Sequence, residues 1–330
     1  MSRIAVIGAG AWGTALALSL ARQHTHTLTL WAHTPTHTED MVRTRENTRF
    51  LPGFALPSDL HLTSSLPEAL QGGEVLLIVT PSEHLPATMT AALPYLRADH
   101  VLLCASKGIQ DGTFHRMSEV VAAQSDVKFA TLGGPSFAKE VAAALPTAVT
   151  LASHDNGAAQ RLQHDFSSES LRVYTNDDVT GVELGGALKN VIALAAGVVA
   201  GLELGSNASA ALITRGMAEI TRLAVACGAR SETMAGLAGY GDLVLTCTGT
   251  LSRNRTVGVE LGRGRTLPDI IAGLNGKVAE GVRCTGAALG LAARHGIEMP
   301  ITAEMYAILH SGRAPQDAIR ALMTRPGRDE

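Results

Sequence analysis

Aromatic side chains are scarce in this 330-residue chain: two Trp, four Tyr and six Phe make up 4% of it. So few rings argue against a surface on which nucleobases stack. A basic excess is missing as well. Lys and Arg total 27 against 30 Asp and Glu, a formal net charge of -3, so nucleic acid is not an expected partner. Charged residues of both signs amount to only 17% and hydrophobic ones to 46%, which excludes a disordered or fibrous chain and leaves room for about two domains. Cysteine is sparse. Cys104, Cys227, Cys247 and Cys284 stand far apart without a C-x-x-C pair, so no disulfide framework is expected, and a reducing, cytoplasmic setting is. Long hydrophobic runs are also absent, with one exception. Residues 4–21 carry no charge behind Arg3, in the manner of a signal peptide or membrane segment. Gly8, Gly10 and Gly13 interrupt that run and its first residues are β-like, so a strand, a glycine turn and a helix account for it better. No membrane span is expected. What the chain has in plenty is glycine: 34 residues, well above the usual share, to be used in turns and in close approach of backbone.

The first half alternates short apolar runs with helical patterns. Runs at 3–7, 27–31, 75–79, 101–104 and 127–132 read as strands buried on both faces, with helical segments at 13–22, 84–96 and 113–123 between them. Strands at 147–152 and 171–175 flank a helix at 156–166. This alternation predicts βαβ units and a parallel sheet. After Asp178 the strand signals stop, and segments from 181–204 to 301–311 all read as helical or turn-linked. The expected fold is therefore α/β, a Rossmann-like N-terminal domain with a parallel sheet over residues 1–180, followed by an all-α domain over 181–330. A His/Thr-rich patch at 24–38 has loop-like histidine spacing and is not read as a metal site.

Gly8-Ala9-Gly10-Ala11-Trp12-Gly13 is G-x-G-x-x-G, directly after a strand and opening a helix. The first glycine permits a tight turn, the second lets backbone approach a pyrophosphate, and the third lets helix and strand pack closely. The helix N-terminus then offers N–H groups and a positive dipole end to phosphate. About 20 residues further on, an acidic residue at the end of the second strand would hold the ribose hydroxyls of NAD. Here the strand ends Trp31-Ala32-His33-Thr34, without a carboxylate, and Arg43, Arg45 and Arg49 follow. That leans toward a cofactor with a 2′-phosphate or toward indifference, unless Glu39 or Asp40 folds back.

Further clusters follow other strands. Lys107, in Ala105-Ser106-Lys107-Gly108, lies where open α/β sheets bind ligands, outside the carboxyl ends of the strands. Gly133-Gly134-Pro135-Ser136 presents a glycine turn, a hydroxyl and a helix start, an arrangement that favours anions. Locally, Lys107 is also compatible with a solvated loop lysine and Ser136 with a helix N-cap. In the helical half, Glu183 and Lys189 are the only charges of an apolar helix before Glu203. A buried lysine is costly unless paired or used. Lys189 has Gly185 and Gly186 four and three residues before it, a face with room for a small ligand. Glu183 lies six positions back, roughly 240° around the helix, and is not its partner. Asp242 puts a carboxylate in a glycine turn. Ser252-Arg253-Asn254-Arg255 offers hydroxyl, guanidinium and amide within one turn, a set suited to phosphate.

Together these residues resemble the bacterial NAD(P)-dependent glycerol-3-phosphate dehydrogenases over nearly the whole chain. The motifs are GAGAWGTALA from Gly8, NTRFLPG at 47–53, ASKG from Ala105, GGPSFAKE from Gly133, LKN at 188–190, GDLVLTC from Gly241, SRNR from Ser252 and VAEGVRCT from Val278. The resemblance implies interconversion of sn-glycerol 3-phosphate and dihydroxyacetone phosphate with NADPH/NADP or NADH/NAD, supply of glycerol 3-phosphate for phospholipid synthesis, and a cytoplasmic homodimer. It implies Lys189 as catalytic proton acceptor with Asp242 beside it as an orienting carboxylate, in a mechanism that needs no metal. Substrate contacts implied are Lys107, Gly134, Ser136, Lys189, Asp242, Ser252, Arg253 and Asn254. Implied cofactor contacts, with the glycines Gly8, Gly10 and Gly13, are Ala11, Trp12, His33, Phe50, Lys107, Ala138, Arg253, Val278 and Glu280. Ala11 departs from the serine of many relatives, which leaves only its backbone N–H for the pyrophosphate. The Thr-rich stretch around His33 also diverges, in the region where NADH and NADPH are told apart.

Overall fold

Leucine- and valine-rich runs form strands here because both of their faces are covered. The computed structural model describes residues 2–273 and 279–326, in two units. The first takes in residues up to Gln110 and His115–Glu183, and the second takes in Asp111–Phe114 and the chain from Leu184 onward. The first unit holds, in chain order, β1 (Arg3–Ile7), α1 (Ala11–Ala21), β2 (Thr27–Trp31), α2 (Pro35–Thr44), β3 (Glu46–Asn47), β4 (Leu51–Ala55), β5 (His61–Thr63), α3 (Leu66–Gly72) and β6 (Val75–Ile78). It continues with α4 (Leu85–Ala92), β7 (Val101–Cys104), α5 (Met117–Ala122), β8 (Lys128–Gly133), α6 (Ala138–Ala142), β9 (Thr147–Ala152), α7 (Asn156–Phe166) and β10 (Leu171–Asn176).

Eight strands make one sheet in the order β10-β9-β8-β7-β6-β1-β2-β5, and β3 and β4 form a separate hairpin. Successive side chains point to opposite faces. Ile4, Val6, Leu30 and Leu77 pack toward α1 and α7, whereas Ala5, Ile7, Leu76 and Ile78 pack toward α3, α4 and α5. From β5 to β8 all pairs are parallel. The sheet then departs from the all-parallel expectation: β9 runs antiparallel to β8, and β10 is parallel to β9. At five residues, α6 is about 7.5 Å long. It does not carry the chain back along β8, so β9 returns in reverse. The helix expected at 113–123 begins only at Met117. The preceding Phe114 belongs to the second unit, where Arg294 stacks over its ring at 4.5 Å.

The helix α8 (Val179–Gly201) opens in the first unit and runs on into the second, followed by α9 (Gly205–Ala226), α10 (Ser231–Ala235), a single π-helical turn (Leu237–Gly241), α11 (Asp242–Thr248), α12 (Arg253–Gly262), α13 (Leu267–Gly273), α14 (Glu280–Arg294), α15 (Pro300–His310) and α16 (Pro315–Met323). By length and hydropathy α8 could cross a membrane, yet 89% of its apolar window is buried inside the protein. Much of the glycine excess is used around it. A Cβ on Gly258 would lie 2.8 Å from the Gly197 Cα, and one on Gly262 would lie 3.1 Å from the Gly201 Cα. Glycines spaced by four on both helices therefore let α8 and α12 meet backbone to backbone.

Candidate active site

The turn between β1 and α1 is shaped by glycines with different reasons to be there. Gly8 sits at φ +127°, and a Cβ on it would press at 2.9 Å against the Val79 carbonyl group. A Cβ on Gly13 would collide with the Gly8 carbonyl oxygen. Gly10 differs: nothing lies within 4 Å of where its Cβ would be. Gly10 is also the N-cap of α1, which has no side-chain cap. Open space over an uncapped helix N-terminus fits the pyrophosphate of a dinucleotide. Ala11 and Trp12 are half-buried and pack against the core beneath the turn.

Beyond β2, His33 is exposed and meets Trp31 edge-on at 5.7 Å. The three arginines that follow have separate fates. Arg43 pairs with Asp40 at 2.6 Å, which also occupies one of the two carboxylates named as candidates to fold back. Arg45 donates to the carbonyls of Leu56, Pro57 and Leu60, a structural role. Arg49 lies over the Phe50 ring at 4.9 Å. Phe50 is therefore flanked by a guanidinium and, at 5.3 Å, by the edge of His37.

Three predicted residues gather at the carboxyl ends of β7 and β8. The Lys107 ammonium donates to the Gly134 carbonyl at 3.3 Å, and the Ser136 hydroxyl donates to the same oxygen at 3.0 Å. Gly134 itself sits at φ +108°. Ser136 is not a helix cap: Phe137 is the N-cap of the short α6, which Ala138 opens.

In the second unit Lys189 and Asp242 form a hydrogen-bonded ion pair. The pair joins two elements. A Cβ on Gly185 would lie 2.5 Å from the Ala238 carbonyl oxygen. The space that the sequence suggested for a ligand on that side of Lys189 is thus filled by the π-helical turn. Its close approach to α8 puts Asp242, the first residue of α11, against the ammonium. Single π turns are frequent at functional sites. Asp242 is wholly buried, whereas Lys189 keeps 8% exposure. Nearby Cys247 is no nucleophile, since burial pushes its thiol up to about 12.

The phosphate-type cluster is partly engaged in structure. Ser252 caps α12 by accepting from the Arg255 N–H at 3.2 Å. Asn254 is buried; its amide donates to Asn190 Oδ1 at 2.9 Å and accepts from the Gly281 N–H at 3.0 Å. Arg253 is exposed at the start of α12. Desolvation of its guanidinium by the surrounding protein lowers the pKa, and the charge of Glu280, at the start of α14, opposes that shift. Val278 lies outside the described residues. Two residues escaped the sequence reading. Asn190, next to Lys189, links α8 to Asn254, and Asn47 reaches the glycine turn. Each was visible as a polar residue inside a resemblance motif, but the partners that tie it to another element, Asn254 for Asn190 and Ala9 and Thr14 for Asn47, lie dozens of residues away.

Comparison with known proteins agrees across the chain. Residues 3–159 match the NAD-dependent glycerol-3-phosphate dehydrogenase N-terminus and residues 178–320 match the C-terminus of the same family. A protein of Koribacter versatilis named glycerol-3-phosphate dehydrogenase [NAD(P)+] is 58% identical over 100% of this chain and 99% of its own length. One of the same name from Acidobacterium capsulatum is 57% identical over 100% of both. The crystal structure of glycerol-3-phosphate dehydrogenase from Coxiella burnetii superimposes with a TM-score of 0.95 at 42% identity, covering 98% of this chain and 99% of that one.

Proposed function

The chain belongs to the NAD-dependent glycerol-3-phosphate dehydrogenase family, and on that premise we propose which of its residues carry the reaction. The enzyme is an NAD(P)-dependent oxidoreductase interconverting sn-glycerol 3-phosphate and dihydroxyacetone phosphate. When bound, the nicotinamide supplies or accepts the hydride. Gly8, Gly10, Ala11, Trp12 and Gly13 receive its pyrophosphate, with His33, Phe50, Lys107, Ala138, Arg253, Val278 and Glu280 as further cofactor contacts. Lys189 moves the proton that accompanies the hydride. As an ammonium it donates to the carbonyl oxygen during reduction, and as an amine it takes the hydroxyl proton in the reverse direction. The Asp242 carboxylate accepts a hydrogen bond from that nitrogen and orients it. We further propose that the enzyme supplies glycerol 3-phosphate for phospholipid synthesis and works as a cytoplasmic homodimer.

The single observation that carries this reading is the Lys189–Asp242 pair, buried with slight exposure kept at the lysine. Lys107, Gly134, Ser136, Ser252, Arg253 and Asn254 are the remaining substrate contacts, and Arg253 reads the phosphate. Nicotinamide absorbance with dihydroxyacetone phosphate, using NADH and NADPH in turn, tests the assignment. Arg253→Ala is expected to lower kcat/KM for that substrate by about 10²-fold or more, with a much smaller loss on unphosphorylated dihydroxyacetone. Equal losses on both would show that Arg253 does not read the phosphate. A wild-type preference for an unphosphorylated hydroxy acid would overturn the substrate.

A further inference from the structure

Residues 42–50 are half or fully exposed with one exception: Asn47 has no exposure at all. A buried amide is expected to satisfy its hydrogen bonds, and this one satisfies four. Its Nδ2 donates to the Ala9 carbonyl at 2.9 Å and to the Thr14 Oγ1 at 2.8 Å. Its Oδ1 accepts from the Phe50 N–H at 3.2 Å and lies 3.0 Å from His37 Nε2. The amide orientation follows, because the Ala9 carbonyl only accepts. With Oδ1 turned to His37, the proton of that contact sits on Nε2.

Ala9 is the residue between Gly8 and Gly10, and Thr14 lies just inside α1. The Gly8–Gly10 stretch has no side chains beyond one methyl with which to hold its own shape. The hairpin of β3 and β4 has a register irregularity at Glu46/Asn47, which marks where the strand departs from regular pairing. We infer that Asn47 is a positioning residue for the cofactor, holding the glycine turn and the Phe50 segment together as one preformed surface. The inference deepens the cofactor assignment above and rests on it. Its physical content is preorganisation: binding to a turn already fixed avoids the cost of ordering it.

Calorimetric titration with NADPH separates the possibilities, with Tm measured on each protein without cofactor. Gly10→Val tests the assignment on which the inference rests and is expected to bind no NADPH. Asn47→Asp is isosteric and keeps both acceptor contacts, but sets a carboxylate oxygen against the Ala9 carbonyl. It is expected to weaken NADPH by about tenfold or more, one decade being 1.4 kcal/mol. The KM for dihydroxyacetone phosphate at saturating NADPH should stay within about twofold of wild type. If Asn47→Asp does not fold, Thr14→Val removes one partner of the amide without changing shape, and a several-fold weaker Kd is expected from it. A folded Asn47→Asp, or failing that Thr14→Val, with wild-type NADPH affinity would make Asn47 a structural staple and overturn the inference, whatever its Tm. If Gly10→Val binds NADPH as wild type does, the cofactor lies elsewhere and assignment and inference fall together.

Discussion

The glycine turn of the first unit and the lysine pair of the second place their chemistry in opposite parts of the chain. At Gly8–Gly13 the groups proposed to work are backbone N–H groups, and what matters is that side chains are absent. At Lys189 and Asp242 the groups proposed to work are side-chain termini, and the backbone around them serves to bring two helices close. Glycine appears in both places for different reasons. The space over Gly10 is open, whereas at Gly185 the missing Cβ lets the π-helical turn close in and bring a carboxylate to Lys189. A glycine in a functional region is therefore read by what its missing Cβ would meet.

Two substitutions within the turn break the comparison most sharply. Gly10→Val adds bulk over open space. The fold is expected to survive with Tm near wild type, while calorimetry finds no cofactor binding. Gly13→Ala adds one methyl against the Gly8 carbonyl. It is expected to lower stability, by about 1–3 kcal/mol in a denaturant titration, because a packed contact must give way. If both variants lost affinity and stability alike, the distinction between the open and the packed glycine would be wrong.

The smallest effect concerns Glu183, the other charge on α8. Its carboxylate accepts from Arg116 at 3.0 Å and from the Ser118 N–H at 2.7 Å and hydroxyl at 2.6 Å. Burial pushes this carboxyl up to about 7, against Arg116 and Ser118, which favour its ionised form, with Glu119 adding to the rise. A folded pKa above the ordinary 4.5 means that the folded protein holds the proton more tightly than the unfolded chain does. The stability from this group is thus present below about 4.5 and lost as pH rises through about 7. Melting curves between these values should show wild type losing a few degrees that Glu183→Gln does not lose. Parallel curves for the two proteins would show that the Glu183 carboxyl titrates at an ordinary pH.

What could be read from sequence follows the same division. β1, β6 and β7 were legible because burial on both faces leaves a nearly unbroken apolar run, and Gly8–Gly13 because its spacing is local. The placement of Lys189 on a buried helix was legible for the same reason. Its partner Asp242, 53 residues away, was legible only through the family resemblance: no local spacing announces it, and the packing of Gly185 against Ala238 is what brings it in. Short polar elements were also silent. In α2 only Thr38 and Met41 are buried, and the β3–β4 hairpin is mostly exposed, so neither leaves a hydrophobic period. The reversal at β9 was hidden because burial marks a strand without marking its direction. Asn47 was hidden because its four bonds reach residues on both sides of it, none of them announced by spacing.

The central claim is that Lys189 moves the proton while the glycine turn receives the cofactor's pyrophosphate, and Lys189→Ala tests it most directly when NADPH affinity and turnover are measured on the same sample. The account predicts cofactor affinity near wild type, with kcat for dihydroxyacetone phosphate reduced by about 10²–10⁴-fold or more. A folded Lys189→Ala enzyme with wild-type kcat would contradict it, and would leave the Lys189–Asp242 pair as a structural feature of the helical unit.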